Sequence, residues 1–302
     1  MVRHFLNLTD FSADDIRRLL QLAQKLKKEW SSGGNRPILK GKTLGMVFQK
    51  PSLRTRVSFE MGMRHLGGDA LYISPNEIGL GQRESVADVS RVLSGYVDGI
   101  MARVFAHEHV LELARHSRVP VINGLSDDGH PCQAMADMLT MIEHFTEVRG
   151  RKLAFIGDGN NMAVSLMQIC AKQGMDFAIA SPDGFALPET AVEAARKDAE
   201  AAGSRIVLVR EPAQAALDAD VLYTDAWVSM GQEEETVKRE KAFAGYQVNA
   251  ALMKKAKPDA VVLHCLPAHR GKEITDDVMD GPQSLVFPEA ENRLHAQKAI
   301  LA

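Results

Sequence analysis

Cysteine is scarce in this sequence: only Cys132, Cys170 and Cys265 occur among its 302 residues. They are widely spaced, and none belongs to a C-x-x-C pair. An odd, scattered set of this kind argues against a disulfide framework and against a structural zinc site. It favours a reducing compartment.

Long apolar runs and a strong net charge are also absent. No stretch is long enough to span a bilayer, and the first residues, MVRHFLNLTDFSADD, lack the apolar core of a signal peptide. We therefore expect a soluble, cytoplasmic protein. The net charge of −3 gives no reason to expect nucleic acid or a membrane as a partner. Any anion-binding site must be a local concentration of basic residues.

Apolar and amphipathic runs alternate along the chain, after an opening helix over residues 12–30 that begins at Ser12. This alternation predicts parallel sheets covered by helices on both faces. The predicted strands lie near 43–48, 69–73, 98–103, 119–123, 153–157, 176–180, 205–209, 220–224, 260–265 and 284–287. The helices lie near 54–66 (Val57, Met61 and Leu66 on one face), 84–96, 107–116, 131–145 and 289–301. A break near 146–151 divides the chain, so we predict two doubly wound α/β domains with a cleft between them.

Residues 42–60 carry the strongest local signal. The apolar run 44–48 predicts a buried strand, and Ser52 stands at the N-cap position of the helix that follows a short turn. The free N–H groups of the first helical turn, the hydroxyl of Thr55 and the guanidinium groups of Arg54 and Arg56 would then converge. Such a place suits a small, multiply charged oxyanion such as phosphate. The alternative is an ordinary N-cap followed by two solvated arginines.

In the first half of the chain, two further sets of candidate site residues follow predicted strands. Arg103 ends a buried strand and needs either a structural carboxylate or a ligand anion as its partner. His130 precedes a helix that starts at Pro131, and Gln133 projects from its first turn, where both could hydrogen-bond a carbonyl or amide. His130 could equally be a helix cap or a surface residue, and Cys132 could serve packing alone.

The second half opens with a strand, a glycine turn and a helix. The third glycine of a dinucleotide fingerprint is missing, so nucleotide binding is not expected. Asn160 and Asn161 could instead bind the carboxylate or amine of a zwitterionic ligand, or could cap the helix. Asp225 stands at the end of a later strand and could hold an ammonium group.

The segment 261–271, VVLHCLPAHRG, runs from a buried strand straight into polar residues. Cys265 at the end of this strand could be a thiolate nucleophile or a small buried apolar residue. Arg293 lies near the start of the closing helix, where a solvated side chain is the usual outcome.

Four motifs, in this order, resemble the ornithine carbamoyltransferase family. They are F-x-x-x-S-x-R-T-R-x-S-F-E at 48–60, HPCQ at 130–133, D-x-x-x-S-M-G at 225–231 and HCLPAHRG at 264–271. The first two are shared with aspartate carbamoyltransferases, whereas the last two separate the ornithine branch. Nearly the whole chain falls into the pattern of this family.

The resemblance implies a role for each matching position. The implied catalytic residues are Arg103, His130 and Cys265. The implied carbamoyl phosphate-binding residues are Ser52, Leu53 (through its backbone), Arg54, Thr55, Arg103, His130, Pro131, Cys132, Gln133, Cys265, Leu266 and Arg293, with Arg56 in support. The implied ornithine-binding residues are Asn161, Asp225, Ser229 and Met230. Neither a metal nor an organic cofactor is implied, and the family assembles as a homotrimer.

The resemblance also implies an activity and a division of the chain. The activity would be transfer of the carbamoyl group of carbamoyl phosphate to ornithine, giving citrulline for arginine biosynthesis rather than arginine catabolism. A carbamoyl phosphate-binding domain would cover residues 1–145 and an ornithine-binding domain 146–288. Residues 289–302 would form a helix that returns to the first domain.

Two positions depart from the family pattern. Leu53 replaces a threonine, so one hydroxyl contact is lost while the backbone N–H remains. Gly79 stands where relatives have a glutamine, and Gln82 lies three residues later. Both departures bear on the affinity for carbamoyl phosphate.

Other functions remain to be separated from this one. N-acetylornithine and putrescine carbamoyltransferases are rivals within the same fold, and the S-M-G and H-C-L-P residues argue against them. A non-catalytic, anion-binding scaffold is the rival from a different class. For the enzyme we expect direct attack of the amine on the carbamoyl carbon, because Cys265 lies in the amino-acid motif, away from the phosphate-binding residues.

Overall fold

The computed structural model describes residues 2–228 and 233–302. The chain forms two compact units. The first comprises Met1–Leu139 together with Glu291–Ala302, and the second comprises Thr140–Ala290. The predicted fold class, two α/β domains built on parallel sheets, is confirmed.

The first unit is built on a four-stranded parallel sheet with the strand order β2-β1-β3-β4. Its strands are β1 (Thr43–Phe48), β2 (Asp69–Ile73), β3 (Gly99–Arg103) and β4 (Val121–Leu125). Its helices are α1 (Ala13–Ser31), α2 (Leu53–His65), α3 (Pro75–Ile78), α4 (Val86–Leu93), α5 (His107–His116) and most of α6 (Pro131–Phe145), with a 3₁₀ turn at Leu8–Asp10. Because consecutive residues of β1 and β3 are buried, helices must cover both faces of this sheet.

The second unit contains a five-stranded parallel sheet with the order β7-β6-β5-β8-β9. The strands are β5 (Lys152–Ile156), β6 (Asp176–Ala180), β7 (Ile206–Val209), β8 (Val221–Thr224) and β9 (Val261–His264). The helices are α7 (Asn161–Gln173), α8 (Glu189–Ala202), α9 (Pro212–Ala216), α10 (Thr236–Ala242), α11 (Ala250–Met253), α12 (Asp276–Met279) and the start of α13 (Val286–Leu301), with a 3₁₀ turn at Glu233–Glu235. An apolar core packs around these central strands.

The helix starts follow from capping residues in the sequence. The Ser12 hydroxyl accepts the N–H of Asp15 at the start of α1, and the Ser52 hydroxyl accepts the N–H of Thr55 at the start of α2. At α7, the side-chain oxygen of Asn160 accepts two N–H groups of the first turn. Each cap satisfies donors that the helix itself leaves without a carbonyl.

The strand predicted near 284–287 is wrong. Ser284 forms only an isolated bridge to Val262, where the Leu285 N–H donates to the Val262 carbonyl over 2.9 Å. Helix α13 then begins at Val286, three residues before the predicted start. Pro288 fits in the first turn because its missing N–H would have no helical partner there.

The face assigned to α2 is also wrong in part. Val57 is 47% exposed, whereas Thr55, Phe59 and Met63 are buried. Polar Thr55 therefore lies on the inner side of the helix, where an amphipathic pattern predicts an apolar residue. A buried hydroxyl in such a place requires hydrogen-bond partners.

The closing helix α13 contributes to both units. Its residues up to Ala290 belong to the second unit and those from Glu291 to the first. Within the first unit, the buried Lys298 ammonium donates to the side-chain oxygen of Asn35 over 2.7 Å. No helix in the described part of the chain has the length and apolarity needed to cross a membrane.

Candidate functional site

In each sheet, candidate residues lie just after the carboxyl end of a strand that borders the point where the strand order reverses. Parallel open sheets bind ligands at such a point, beyond the carboxyl ends of the strands. In the first unit this point lies between β1 and β3, where Phe48 pairs with Arg103. In the second it lies between β5 and β8, where Ile156 pairs with Thr224. Ser52 follows β1, and Asp225 follows β8.

The turn after β1 presents the N-terminus of α2. The N–H groups of Leu53 and Arg54 open this helix, so no carbonyl of the helix is available to them. The Leu53 side chain has no donor group, so this residue can offer an anion only its backbone N–H. The positive end of the helix and these N–H groups suit an anion.

Two arginines donate hydrogen bonds to the Thr55 hydroxyl. Thr55 is fully buried, and its Oγ1 accepts from Arg293 Nη2 over 3.1 Å and from Arg103 Nη1 over 3.4 Å. The Ser52 hydroxyl also lies 3.2 Å from this oxygen. Two buried guanidinium groups thus lie beside the N-terminus of α2, which concentrates positive charge on one small volume.

Gln133 is hydrogen-bonded to the same group of residues through Arg293, which lies on the closing helix. Arg293 Nη1 donates to Gln133 Oε1 over 2.6 Å, and Gln133 Nε2 donates to Asp137 Oδ1 over 2.7 Å. The amide is therefore oriented from both ends. The sequence alone placed Arg293 on a solvated helix surface, yet it is 2% exposed.

His130 is buried beside this positive charge. Burial lowers the pKa of His130 well below its usual value, and the charges of Arg293 and Arg103 lower it further. The imidazole is therefore neutral near pH 7 and can donate one hydrogen bond without carrying charge. Its backbone carbonyl accepts from Gln133 N–H over 3.1 Å, so His130 also caps α6.

Pro131 and Cys132 lie in the first turn of α6. The Cys132 thiol donates to the Asn123 carbonyl over 3.3 Å, and burial raises its pKa to about 12. The thiol is therefore a packing group, and Cys132 can reach a ligand only through its backbone.

Lys50 is a site residue that the sequence reasoning missed. Its ammonium lies 4.5 Å from the centroid of the Phe105 ring and makes no hydrogen bond or ion pair with a described residue. Burial, followed by the charge of Arg103, lowers the pKa of Lys50 to about 8. The Lys50 charge also lowers the pKa of His130, so both groups belong to one electrostatic environment.

Arg56 and Gly79 occupy structural positions. The Arg56 guanidinium lies 4.1 Å from the Tyr72 ring centroid, and its Nε is 3.8 Å from Glu60. Gly79 ends α3 with a φ of +50°, and a Cβ there would lie 2.9 Å from Arg83 Cβ. Gln82 is exposed. The glycine therefore suits the left-handed turn that it forms.

In the second unit, Asp225 lies between an amide and a thiol. Asn160 Nδ2 donates to Asp225 Oδ2 over 3.0 Å, and the Cys265 thiol donates to Asp225 Oδ1 over 3.0 Å. Asn160 caps α7, whereas Asn161 is the first residue of that helix. Ser229 and Met230, the other predicted ornithine contacts, lie outside the described residues.

The turn after β9 holds Cys265 and Leu266. The Leu266 N–H donates to His264 Nδ1 over 2.9 Å, and His264 Nε2 lies 3.2 Å from Glu273 Oε1. Both His264 and Glu273 are buried. The sequence reasoning missed Glu273 because only the folded turn brings it to His264.

Asp225, His264 and Cys265 are also the described residues whose ligand atoms could surround a metal ion, within 4.8 Å of one another. However, both ring nitrogens of His264 are already used, by Leu266 N–H and by Glu273. A metal would therefore have to displace one of these hydrogen bonds to gain a third ligand.

Two family models match the chain. The carbamoyl-P binding domain of aspartate/ornithine carbamoyltransferase matches residues 3–143, and the Asp/Orn binding domain matches residues 149–302. The chain is 54% identical over 299 residues to an ornithine carbamoyltransferase of Anoxybacillus flavithermus, covering 99% of this chain and 95% of the relative. It is 51% identical over 300 residues to an anabolic ornithine carbamoyltransferase of Pyrococcus furiosus, with 99% and 95% covered. A solved structure of the ornithine carbamoyltransferase from Pyrococcus furiosus matches with a TM-score of 0.97, at 51% identity, over 99% of this chain and 96% of that one.

Proposed function

Because the chain belongs to the aspartate/ornithine carbamoyltransferase family, we propose that it transfers the carbamoyl group of carbamoyl phosphate to ornithine. The products are L-citrulline and phosphate, and the use is arginine biosynthesis. One observation carries the proposal: a buried threonine hydroxyl joins two arginines beside a helix N-terminus. This arrangement supports binding of a phosphorylated, carbonyl-bearing substrate.

The first unit binds carbamoyl phosphate. The phosphate accepts hydrogen bonds from residues at the start of α2, namely Ser52, Leu53 N–H, Arg54 and Thr55. The carbonyl oxygen accepts from Arg103, neutral His130 and Thr55. Gln133 Oε1 also accepts from the carbamoyl NH₂, and Arg293 holds that amide in place.

The second unit binds ornithine through Asn161, Asp225, Ser229 and Met230, with Cys265 beside the δ-amino group. From this unit, the Leu266 carbonyl is a further acceptor for the carbamoyl NH₂. Asn160 orients the Asp225 carboxylate, which supports its use as a fixed partner for an ammonium group.

The reaction is acyl transfer by direct attack. The neutral δ-nitrogen forms a bond to the carbamoyl carbon, and the bond from that carbon to the phosphate oxygen breaks. The proton that the nitrogen loses leaves with the phosphate as HPO₄²⁻. Negative charge on the carbonyl oxygen is stabilised by donors already in place, each worth about 3–4 kcal/mol when removed from such sites. The Cys265 thiol donates to Asp225, one of the proposed ornithine-binding residues, and this position beside the amine supports direct attack without a carbamoyl-cysteine intermediate.

A citrulline assay tests the proposed activity. Purified protein is supplied with carbamoyl phosphate and, side by side, ornithine, N-acetylornithine, putrescine or aspartate. We expect turnover with ornithine at least tenfold above turnover with the other amines, the effect of losing one hydrogen bond of about 1.4 kcal/mol. If the protein uses another amine in preference to ornithine, that amine is the substrate. If it turns over none of the amines, the result favours a binding scaffold.

Cys265→Ala tests the route of transfer, with Cys265→Ser as the matched variant that keeps a donor to Asp225. Direct attack requires that Cys265→Ala retains turnover and that no carbamoylated enzyme accumulates. A mass increase of one carbamoyl group on Cys265, trapped by acid during turnover, would show that transfer passes through the thiol.

The remaining assignments follow from the same proposal. Residues 1–145 form the carbamoyl phosphate-binding domain, 146–288 the ornithine-binding domain, and 289–302 the segment that returns to the first. Three free cysteines support a cytoplasmic location. The proposed assembly is a homotrimer, as the resemblance to the family implies. Light scattering on the purified protein tests this assembly.

A further inference from the structure

Leu266 has a backbone conformation that few residues of its type adopt. Its φ is +58°, in the left-handed region that favours glycine. A leucine held there is strained, and such strain persists only when neighbouring groups enforce it. The residue directly before it is Cys265, whose thiol contacts Asp225. Whatever holds Leu266 in this conformation therefore also decides where the Cys265 thiol points.

The group that holds Leu266 is the ring of His264. Its Nδ1 accepts the Leu266 N–H over 2.9 Å, which closes a tight turn around Cys265. The backbone N–H of His264 donates to Glu289 Oε2 over 2.8 Å, and Tyr223 donates to the other oxygen of Glu289 over 3.1 Å. Both the main chain and the ring of His264 are thus fixed.

Glu273 determines which nitrogen of the His264 ring carries the proton. An acceptor at Nδ1 requires that the ring proton sits on Nε2, and Glu273 Oε1 lies 3.2 Å from Nε2 to receive it. Oε1 also accepts the His269 N–H. Burial alone would raise the pKa of Glu273, but the hydrogen bonds from His264 and His269 N–H hold it below its usual value. The carboxylate is therefore ionised and acts as an acceptor for both groups.

We propose that Glu273 and His264 are positioning residues for ornithine: Glu273 holds the proton on His264 Nε2, so that Nδ1 locks Leu266 and aims Cys265 at Asp225. Neither residue touches substrate in this proposal. The inference rests on the proposed function, because it takes Asp225 as an ornithine-binding residue and Cys265 as the neighbour of the δ-amino group.

Two substitutions at His264 separate positioning from packing. The Asn oxygen in His264→Asn lies near the place of Nδ1 and can still accept the Leu266 N–H. The Gln side chain in His264→Gln reaches instead toward the place of Nε2 and leaves the Leu266 N–H without an acceptor. We expect His264→Asn to keep kcat/KM for ornithine within about tenfold. His264→Gln should lower it by about 100-fold, the effect of a small misplacement of a reacting group.

The KM values distinguish a misplaced site from damaged protein. In His264→Gln, KM for ornithine should rise, and KM for carbamoyl phosphate should rise less, because carbamoyl phosphate contacts this turn only through the Leu266 carbonyl. A purely structural role would only reduce the fraction of folded enzyme, and this lowers the apparent kcat without changing either KM. Equal kinetics in the two His264 variants, or loss without a rise in KM for ornithine, would overturn the proposal.

Glu273 offers a second comparison. Glu273→Gln keeps an oxygen that can accept from His264 and His269, so it should rescue most of the activity that Glu273→Ala loses. If Glu273→Gln is as impaired as Glu273→Ala while both remain folded by circular dichroism, the carboxylate does not act through the His264 proton. If Glu273→Ala does not fold, the His264 pair still decides the question.

Hydrogen exchange at the Leu266 amide provides a test that does not depend on catalysis. The amide should be protected in the unmodified protein and in His264→Asn, and should exchange faster in His264→Gln. If the unmodified protein shows no carbamoyl transfer, the proposed function fails, yet this exchange pattern can still hold. Fast exchange in all three proteins would refute the hydrogen bond on which the positioning depends.

Discussion

Thr55 combines complete burial with contacts to two guanidinium groups, and this makes its hydroxyl a sensitive point in the first unit. Thr55→Val keeps the shape of the side chain but removes the acceptor for Arg103 and Arg293. Loss of such a preorganised contact lowers rates by about 10²–10³-fold in related chemistry. We expect kcat/KM for carbamoyl phosphate to fall within that range in steady-state assays. Thr55→Ser, which keeps the hydroxyl, should stay close to the unmodified enzyme; equal losses in the two variants would show that the methyl group matters instead.

The lowered pKa of Lys50 predicts how activity changes at alkaline pH. Its pKa of about 8 means that it loses its charge just above neutrality, whereas an arginine keeps its own. Binding of an anionic phosphate should therefore weaken as pH rises through about 8, which raises KM for carbamoyl phosphate. Lys50→Met should have a high KM at pH 7 and a flatter pH profile.

Lys42→Met is the matched control, because Lys42 pairs with Asp98 on the surface. It should leave the pH profile unchanged. A rise in KM above pH 8 that persists in Lys50→Met would assign the effect to another group.

The sequence indicated several individual residues of the site but not their contacts. Ser52, Asp225 and Cys265 stand beside strand ends, and strand ends can be located from apolar patterns. Arg293 was not recognisable as buried, because a helix surface pattern does not show which element covers it. Lys50 and Glu273 have no motif of their own, and only the folded turns bring them to His130 and His264.

Among the elements, the end of α2 depends on a glycine in a confined place. Gly67 has a φ of +83°, and a Cβ there would lie 2.5 Å from Pro37 Cβ. Gly67→Ala combines a left-handed alanine with a clash against a rigid ring. We expect a loss of about 2–4 kcal/mol in the free energy of unfolding, measured by urea denaturation.

Gly203 provides the comparison for this element. It has a similar φ of +78° at the end of α8, but no atom lies within 4 Å of its Cβ position. Gly203→Ala should therefore lose only about 1 kcal/mol, the cost of the backbone conformation. Similar losses at both positions would mean that Pro37 moves aside.

Element boundaries show where sequence patterns are sufficient. Strands β1, β2 and β6 have the predicted bounds, because short apolar runs between polar turns define them well. The segment near 284–287 was mistaken for a strand since Leu285, Val286 and Phe287 form an equally short apolar run. Periodicity cannot separate such a run from the first turn of a helix, and the proline that follows is compatible with both.

For the whole molecule, buried histidines predict weaker stability in acid. Burial, then the charges of Lys298 and Lys27, lower the pKa of His295 to about 3. The unfolded chain takes up this proton near pH 6.5 and the folded chain does not, so unfolding is favoured increasingly as pH falls below about 6.5. Each pH unit there should cost about 1 kcal/mol for this residue, seen as a lower urea midpoint at pH 5.5 than at pH 7.5.

His295→Gln should flatten this dependence without abolishing it, because burial also lowers the pKa of His130. A slope that is identical in His295→Gln and the unmodified protein would place the acid sensitivity elsewhere.

The division into two α/β units follows from features visible in the sequence, namely repeated strand–helix alternation and a break near residue 146. The unit boundary at Leu139 and Thr140 lies inside helix α6, which a composition pattern cannot reveal because the helix is continuous there. The assignment of residues 291–302 to the first unit depends on contacts such as Lys298 with Asn35, distant in sequence.

Helix α13 has a consequence for how the chain can vary. Glu289 accepts the His264 N–H, and Arg293 donates to the Thr55 hydroxyl. The two residues are four positions apart on one uninterrupted helix. Inserting a single residue between them would rotate one against the other by about 100°. Only one of the two side chains could then reach its partners, so an insertion or deletion between these two positions should not be tolerated.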